Sequence, residues 1–228
     1  MTRVLITGAS RGIGRATALA CAARGAELGL LGRASGEQRE TAEACLRAGA
    51  ARVLPLIADA RQSEDLERAA AEFLSSCGPP DAVIHNAGIA HRTRIEDTSL
   101  ESWDEHLRIN LSASFILTRA LLPVMRAQGS GRFVFVASIS ATLGTANLSA
   151  YCATKWGLVG FMKSLAAELS DSGLMACAIL PGSVDTQMLA GSGFPARMTA
   201  ESVAQTLVHY AFDAPLAHNG ASIEMFGV

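Results

Sequence analysis

Three polar side chains in the second half of the chain have the types and spacing of an acid–base centre. Tyr151 and Lys155 lie four residues apart in a helical pattern, so both would face the same side of a helix. An ammonium group beside a phenol favours the phenolate, and we expect Lys155 to lower the pKa of Tyr151 from its usual value of about 10. Ser138, thirteen positions before the tyrosine, ends an apolar run and would present its hydroxyl at the end of a strand. This combination indicates a general acid or base that works near neutral pH. The alternative is that Ser138 caps the end of a strand, Tyr151 is a core residue and Lys155 is solvated.

A glycine-rich segment near the N-terminus has the features of a nucleotide-binding loop. Residues 7–14 have the sequence Thr-Gly-Ala-Ser-Arg-Gly-Ile-Gly and join an apolar run to a helical pattern. Glycine permits a sharp turn, and the free N–H groups at the start of a helix favour an anion such as a pyrophosphate. The alternative is a helix-entry turn that is rich in glycine for structural reasons alone. As a dinucleotide site, the loop would use Gly8, Ser10, Arg11, Gly12, Ile13 and Gly14.

Two arginines distinguish between the two nicotinamide nucleotides. An acidic residue about 20 positions after the glycine loop is typical of NAD-binding sites, because it binds the ribose 2′-hydroxyl. Here Arg33 occupies that place, nineteen positions beyond Gly14, and Arg11 lies inside the loop. Two guanidinium groups suit a 2′-phosphate, so NADP(H) is favoured over NAD(H). The alternative is that both arginine side chains are merely solvated.

Apolar runs alternate with amphipathic segments of helix length along the whole chain. The runs, which predict buried strands, are 4–7, 27–31, 52–57, 82–85, 132–138, 174–180 and 221–226. The predicted helices are 12–24, 36–48, 63–76, 99–127, 150–171 and 199–213, with Ser35, Thr98 and Thr199 as N-caps. Strands separated by helices need crossover connections, so we predict an α/β fold. It is a single Rossmann-type domain over 1–228, with a doubly wound, mostly parallel seven-stranded sheet and helices on both faces.

Composition argues against several other classes of protein. The 228 residues are 50% hydrophobic and 18% charged with a net charge of −2, which argues against nucleic acid as a partner. There is no secretory signal and no apolar run near the roughly 18 residues that cross a bilayer, so we expect no membrane association. The five cysteines are scattered without a Cys-x-x-Cys pair, as in reduced cytoplasmic proteins. The histidines lack metal-ligand spacing, so we predict no catalytic metal.

The motifs and their order resemble the short-chain dehydrogenase/reductase family. The glycine loop matches the family's Thr-Gly-x-x-x-Gly-x-Gly, and residues 86–88 match its Asn-Ala-Gly. Asp59 stands at the family's acidic position after the third strand, and residues 181–186 match its Pro-Gly-x-Val-x-Thr. The family's catalytic tetrad is present as Asn110, Ser138, Tyr151 and Lys155. The general layout is closest to that of the 3-oxoacyl-carrier-protein reductases.

The resemblance implies a hydride transfer between the nicotinamide C4 atom and a carbonyl carbon. Tyr151 would exchange a proton with the substrate oxygen, Ser138 would hydrogen-bond the same oxygen, and Lys155 would bind the nicotinamide ribose. Asn110 would position a water molecule that links Lys155 to solvent. Further cofactor contacts would come from Asp59 and Ala60 at the adenine, from Asn86, Ala87 and Gly88 beyond the fourth strand, and from Val184 and Thr186 at the carboxamide.

The substrate is expected to lie beneath the loop at 183–198, which follows the sixth predicted strand and would act as a lid. Met188, Leu189 and Phe194 make this loop apolar, which favours a 3-oxoacyl thioester or a small apolar ketone. The resemblance implies a homodimer or homotetramer. An acyl carrier protein stays an open partner, because two regions that are basic in such reductases are not basic here. The alternative function is a catalytically idle NADP(H)-sensing regulatory protein with the same fold, although the complete tetrad favours an enzyme.

Overall fold

In the computed structural model, which describes residues 1–33 and 35–227, seven parallel strands form one central sheet. The strands are β1 (Arg3–Thr7), β2 (Glu27–Gly32), β3 (Arg52–Ile57), β4 (Ala82–His85), β5 (Gly131–Val136), β6 (Leu174–Pro181) and β7 (Ser222–Met225). Their order across the sheet is β3-β2-β1-β4-β5-β6-β7, and every neighbouring pair is parallel. The predicted doubly wound, Rossmann-type sheet is confirmed, and each predicted strand overlaps an observed one.

Helices cover both faces of this sheet. They are α1 (Gly12–Ala22), α2 (Gly36–Arg47), α3 (Ser63–Cys77), α4 (Leu100–Leu107), α5 (Ala113–Gln128), α6 (Ser149–Glu168) and α7 (Ala200–Phe212). One face carries α1, α2 and α7, which bury residues such as Cys21 and Leu207 against the strands. The other face carries α3, α5 and α6, which bury Phe73, Leu117 and Leu158. Because the central strands are covered on both sides, their sequences are continuous apolar runs without alternation.

The ends of three helices test the predicted N-caps. The hydroxyls of Ser35 and Thr199 accept hydrogen bonds from backbone N–H groups in the first turns of α2 and α7, as predicted. The prediction for Thr98 is wrong by one residue, because the Ser99 hydroxyl caps α4 while the Thr98 hydroxyl donates to the carbonyl of Arg94. Two adjacent hydroxyl residues give the same sequence signal, so the choice between them depends on backbone geometry.

The single helix predicted over 99–127 is interrupted by one wide turn. Between α4 and α5, residues Arg108–Ser112 form a π-helical turn that contains one extra residue. The whole segment Leu100–Gln128 is long and apolar enough, by length and composition alone, to cross a membrane. Here Leu117, Leu121 and Met125 are buried against the sheet, as in a core helix of a globular domain. The expectation of no membrane association stays a prediction.

Candidate active site

The carboxyl ends of β1 and β4 meet at the point where the strand order reverses. Asn86, directly after β4, joins them, because its side-chain amide donates hydrogen bonds to the carbonyls of Thr7 and Gly8, both at 3.0 Å. The Thr7 hydroxyl oxygen in turn accepts hydrogen bonds from the backbone N–H groups of Asn86 and Ala87, both at 2.9 Å. We call these four hydrogen bonds the Asn86 clasp. The clasp fixes the glycine loop relative to the loop that follows β4.

The glycine loop forms a cradle in which side chains have no room. Gly8 and Gly12 have φ angles of +65° and +54°, in the left-handed region that favours glycine. A Cβ atom on Gly14 would lie 2.1 Å from the Gly8 carbonyl oxygen, which no backbone tolerates without moving. Within the described part of the chain, α1 begins without a side-chain cap or an acidic residue in its first turn. Its first N–H groups are available to an anion, so the cradle fits the pyrophosphate of a dinucleotide cofactor.

Charged side chains gather at the predicted adenosine end of the cleft, beyond β2 and β3. Arg33 follows β2 and is exposed. The Arg61 guanidinium hydrogen-bonds the Asp59 carboxylate at 3.0 Å and, with a smaller contribution from Arg33, lowers the pKa of that carboxyl group. The sequence analysis did not identify Arg61, since a cation two residues from an acidic group is a common surface pattern. The Asp59 carboxylate would therefore already be paired with the Arg61 guanidinium when the adenine of a cofactor binds beside it.

Ser138, Tyr151 and Lys155 are brought together beside the carboxyl end of β5. All three are buried, with 8%, 9% and 3% of their surface exposed. The Lys155 Nζ atom lies 5.6 Å from the centre of the Tyr151 ring and donates a hydrogen bond to the carbonyl oxygen of Val136 at 2.8 Å. Burial lowers the pKa of Lys155 to about 8. The last residue of β5 thus holds the amine in place beside the phenol.

The predicted lowering of the Tyr151 pKa is wrong for this structure. Burial raises the pKa of Tyr151, and the Ser138 hydroxyl and the Arg92 charge oppose that rise only in part. The Lys155 ammonium is directed to the Val136 carbonyl, so it does not offset the burial of the phenol. The phenol is therefore held in its neutral form, which is the form that donates a proton.

The Ser138 hydroxyl is fixed where β5 gives way to a short helical turn. The backbone is extended at Ser138, and its Oγ atom accepts a hydrogen bond from the N–H group of Ser140 at 3.1 Å. Because a hydroxyl group has one donor hydrogen and two acceptor positions, this bond leaves the hydrogen free to donate. Ser138 can therefore donate a hydrogen bond to an oxygen atom next to Tyr151.

Asn110 lies in the π-helical turn, and its side chain is fully buried. Its Oδ1 atom accepts a hydrogen bond from the N–H group of Ile89 at 2.8 Å, and its Nδ2 atom donates to the Ile89 carbonyl and to the Thr154 hydroxyl. A Cβ atom on Gly88 would lie 3.3 Å from Asn110 Oδ1 and 3.6 Å from Lys155 Nζ. The glycine therefore lets Asn110 and the amine approach the same strip of backbone. The sequence analysis did not identify Thr154 as part of this site.

The loop at 183–198 is tied to the rest of the cleft at its base and along its outer edge. Val184 and Met198 form an isolated parallel bridge that closes the base of the loop. The side chain of Gln187 accepts a hydrogen bond from Arg11, so Arg11 links the glycine loop to this lid. The two ties place Val184 and Thr186 beside the cradle, where a Cβ atom on Gly12 would lie 3.3 Å from Thr186 Cγ2.

The outer part of the same loop surrounds an open recess of about 290 Å³. Met188 and Phe194, two of the predicted substrate contacts, are 42% and 53% exposed. Leu189, the third, is half-buried and lines the recess. The recess is lined by Asp185, Thr186, Leu189, Ala190, Gly191, Ser192, Gly193, Phe194 and Ala196. In residues 1–33 and 35–227, no three His, Cys, Asp or Glu side chains converge as a metal site.

Comparison with known proteins agrees with this geometry. Residues 2–193 match the family model described as short chain dehydrogenase. A 3-oxoacyl-[acyl-carrier-protein] reductase of Synechocystis sp. is 30% identical over 223 residues, which cover 98% of this chain and 85% of that protein. A D-beta-hydroxybutyrate dehydrogenase of Cupriavidus necator is 38% identical over 187 residues, which cover 81% of this chain and 71% of that protein.

A solved structure shares the whole architecture. The crystal structure of a candidate NAD(P) dependent gluconate 5-dehydrogenase from Beutenbergia cavernae, with NADP bound at low occupancy, has a TM-score of 0.92 and 31% identity to this chain. The match covers 99% of this chain and 95% of that one. The chain belongs to the short-chain dehydrogenase/reductase family. It is an oxidoreductase that acts on CH–OH or C=O groups, and its family uses a nicotinamide cofactor.

Proposed function

We propose that the protein is an NADP(H)-dependent carbonyl reductase whose substrate is a 3-oxoacyl thioester or a small ketone. The observation that carries this proposal is the buried group of Ser138, Tyr151 and Lys155 beside the glycine cradle, with Asn110 at its edge. The nicotinamide, bound along the carboxyl edge of the sheet, would supply the hydride. A protein that only sensed the nucleotide would have no need of this group.

Each residue of the tetrad has a role that its surroundings support. Tyr151, kept neutral by burial, donates its proton to the substrate carbonyl oxygen. Ser138 donates a hydrogen bond to the same oxygen and stabilises its developing negative charge. Lys155 binds the nicotinamide ribose and, as a buried amine whose pKa is lowered to about 8, passes a proton back to Tyr151. Asn110 positions the water molecule that links Lys155 to solvent, and its hydrogen bonds to Ile89 and Thr154 hold the loop after β4 and the helix that carries the phenol.

The preference for NADP(H) rests on the charges around the cradle. Arg11 lies in the glycine loop and Arg33 follows β2, and neither forms an ion pair with a carboxylate in the described residues. Both guanidinium groups are therefore available to a 2′-phosphate, for which Arg11 would exchange its bond to Gln187. Arg61 occupies the acceptor atoms of Asp59, which leaves the adenosine end less negative. The NADP in the Beutenbergia cavernae structure is consistent with this preference.

Further parts of the proposal concern the remaining cofactor contacts, the assembly and the compartment. The remaining cofactor contacts are assigned to Gly8, Ser10, Gly12, Ile13, Gly14, Asp59, Ala60, Asn86, Ala87, Gly88, Val184 and Thr186. Phe115 on α5 and Trp156 on α6 are 46% and 55% exposed, which supports a homodimer or homotetramer that covers these helices. The five unpaired cysteines support a cytoplasmic location. An acyl carrier protein is retained as the partner that would deliver a thioester.

The test is to replace each of the two tyrosines separately. Tyr151→Phe removes only the proton donor, so we expect kcat for ketone reduction to fall by about a hundredfold or more, with NADPH binding retained. Tyr210→Phe is the matched control, because Tyr210 lies on α7 and faces the other layer of the core, and it should leave kcat unchanged. The assay follows NADPH absorbance with a 3-oxoacyl thioester and with neutral ketones, and cofactor binding is measured by NADPH fluorescence. Full activity in Tyr151→Phe would remove the proposed donor, while NADPH binding without turnover of any substrate by the wild type would favour a nucleotide sensor.

A further inference from the structure

The loop that follows β4 forms one wall of the cleft and is fixed on three sides. Ile89 is bound to Asn110 through both its N–H group and its carbonyl. The N–H group of Thr93 donates to the carbonyl of Asn147 at 2.9 Å, which ties the loop to the segment before α6. Between these two points, Ala90 packs against the cluster that contains Tyr151. This wall is therefore held in a fixed position directly beside the phenol.

Arg92 projects from this wall across the mouth of the cleft. Its Nη1 atom donates a hydrogen bond to the carbonyl oxygen of Met188, in the lid, at 3.3 Å. Two residues span at most about 7 Å, so the Arg92 backbone lies close to Ala90 and hence to Tyr151. The charge of Arg92 opposes the rise in the pKa of Tyr151 that burial causes, so it acts at the position of the reacting oxygen.

The donors of Arg92 are mostly free, unlike those of its neighbour in the same loop. A guanidinium group has five N–H donors, and the Met188 carbonyl uses one of them. Within the part of the chain that the structure describes, no carboxylate lies within ion-pair distance of Arg92, whereas Arg94 pairs with Glu96 at 3.9 Å. An exposed arginine that faces a catalytic cleft without a counter-ion is available to an anion that enters with the substrate.

The other cation of the catalytic group cannot serve this purpose. Lys155 is buried, and its ammonium is bound to the Val136 carbonyl beneath the phenol ring. The apolar side chains of the lid, Met188 and Leu189, offer no charge either. Arg92 thus places a positive charge at this mouth beside the apolar side chains of Met188 and Leu189, while the Arg11 guanidinium is bound to Gln187 elsewhere on the lid.

We propose that Arg92 binds an anionic group of the substrate at the mouth of the cleft and so selects 3-oxo compounds that carry a carboxylate or a phosphate. The inference rests on the proposed reductase activity and adds the charge of its substrate. Because Arg92 lies at the mouth and Tyr151 lies inside it, the anion would lie on the solvent side of the ketone, while the lid covers the apolar part of the substrate. Carboxylates and phosphates both accept paired hydrogen bonds from a guanidinium group, so the two sources are separated by experiment.

The test compares three substrates that share the acetoacetyl ketone and differ in the charged group that they carry. Acetoacetate carries a carboxylate, acetoacetyl-coenzyme A carries phosphates, and the N-acetylcysteamine thioester of acetoacetate is neutral. Steady-state kcat and KM are measured with NADPH for the wild type and for Arg92→Gln, Arg92→Lys and Arg94→Gln. Arg94→Gln removes the same charge from the same loop but at an arginine that already has a carboxylate partner, so it is the matched control. Thermal unfolding of each variant checks that the fold is retained.

We expect Arg92→Gln to raise KM for at least one anionic substrate by about tenfold to a hundredfold, because it removes a charge-assisted hydrogen bond. The KM for the neutral thioester should stay within twofold, and any change in kcat, which would report the loss of the Arg92 charge near Tyr151, should be the same for all three substrates. Arg92→Lys should recover part of the loss in KM, and Arg94→Gln should change nothing. A loss confined to acetoacetate identifies a carboxylate, and a loss confined to acetoacetyl-coenzyme A identifies a phosphate.

Three results overturn the inference and leave the proposed function in place. The first is an equal rise in KM for neutral and anionic substrates in Arg92→Gln, since this would show a structural role. The second is a wild-type enzyme that reduces the neutral thioester and neither anionic form. The third is an Arg92→Gln variant whose KM for both anionic substrates is unchanged. If the wild type reduces no ketone at all, the proposed function fails and the inference fails with it.

Discussion

Replacing Lys155 with methionine should stabilise the folded protein while abolishing its activity. Lys155 is buried and binds only the Val136 carbonyl among the described residues. Burial lowers its pKa from 10.5 to about 8, which means that the fold disfavours the charged form. Methionine has a similar length and no charge, so it can occupy the same space. The activity is lost because the proposed ribose contact and proton route both disappear.

The expected size of the stabilisation follows from the pKa. One pKa unit corresponds to about 1.4 kcal/mol, so keeping the Lys155 ammonium charged in the core costs about 3 kcal/mol of folding free energy. Removing the amine leaves the Val136 carbonyl without this donor, which costs about 1 kcal/mol. The variant should therefore be more stable than the wild type by about 2 kcal/mol at neutral pH.

The same argument predicts how the difference changes with pH. Between the folded pKa of about 8 and the unfolded value of 10.5, the unfolded chain keeps the Lys155 proton that the folded chain has lost. Stability of the wild type relative to the variant therefore rises with pH across this window. The penalty is complete below about pH 8 and absent above 10.5, where the wild type becomes the more stable form by the value of its hydrogen bond.

The assay is urea unfolding of the wild type and the variant at several pH values. Burial raises the pKa of Cys21 and of Cys177 to about 12, and these thiols lower stability as the pH rises. Both proteins contain them, so the difference between the two curves isolates Lys155. Lys163→Met is the matched control, because Lys163 is the other lysine of the chain and is exposed. It should change stability by at most about 0.5 kcal/mol at every pH.

A variant that is less stable than the wild type at pH 7, or a difference that does not change between pH 8 and 10.5, would refute this reasoning. The first result would mean that the core stabilises the ammonium and that Lys155 contributes to folding, and the second would mean that folding does not lower the pKa of Lys155.

Two further predictions concern the cofactor site. Gly14→Ala should weaken NADPH binding at least tenfold and destabilise the fold by about 1–3 kcal/mol, because its Cβ atom would lie 2.1 Å from the Gly8 carbonyl oxygen. The control is Gly160→Ala, where nothing lies within 4 Å of the new Cβ atom, and it should not lower stability. Unchanged NADPH affinity in titrations of Gly14→Ala would contradict the proposed role of the glycine loop. Arg33→Asp should lower the ratio of kcat/KM for NADPH to kcat/KM for NADH by about tenfold or more. The control is Arg47→Asp, at an ion-paired arginine of α2, which should leave this ratio unchanged. An unaltered ratio in Arg33→Asp would exclude Arg33 from phosphate binding.

The sequence was sufficient for the sheet because its strands are buried on both faces. A strand such as β6, which is buried at every position, can only be a continuous apolar run, and the spacing between runs leaves room for one helix each. The grouping of Ser138 with Tyr151 and Lys155 followed from the same logic, since the carboxyl ends of parallel strands share one edge. The predicted grouping is present in the structure.

The features that the sequence did not reveal depend on geometry that spacing does not encode. One extra residue in the turn Arg108–Ser112 leaves the apolar pattern of the helix almost unchanged, yet it sets the direction of Asn110. The pKa of Tyr151 depends on how deeply the phenol is buried, which is a property of several packed elements. Arg61 and Arg92 lie in sequences typical of a protein surface. Only the contact of Arg61 with Asp59 and the contact of Arg92 with Met188 in a separate loop distinguish them.

The Asn86 clasp also has a consequence for the order in which the protein acquires its binding site. It joins Thr7 to a residue 79 positions later in the chain, so the first strand, loop and helix emerge from the ribosome long before their partner. Until β4 has been synthesised and has paired with β1, the glycine loop lacks the four hydrogen bonds that set its shape. Contacts between distant parts of a chain form late because they close large loops. Nucleotide binding therefore requires the chain at least as far as Ala87, and a nascent fragment that ends before Asn86 lacks the shaped loop that would bind the nucleotide.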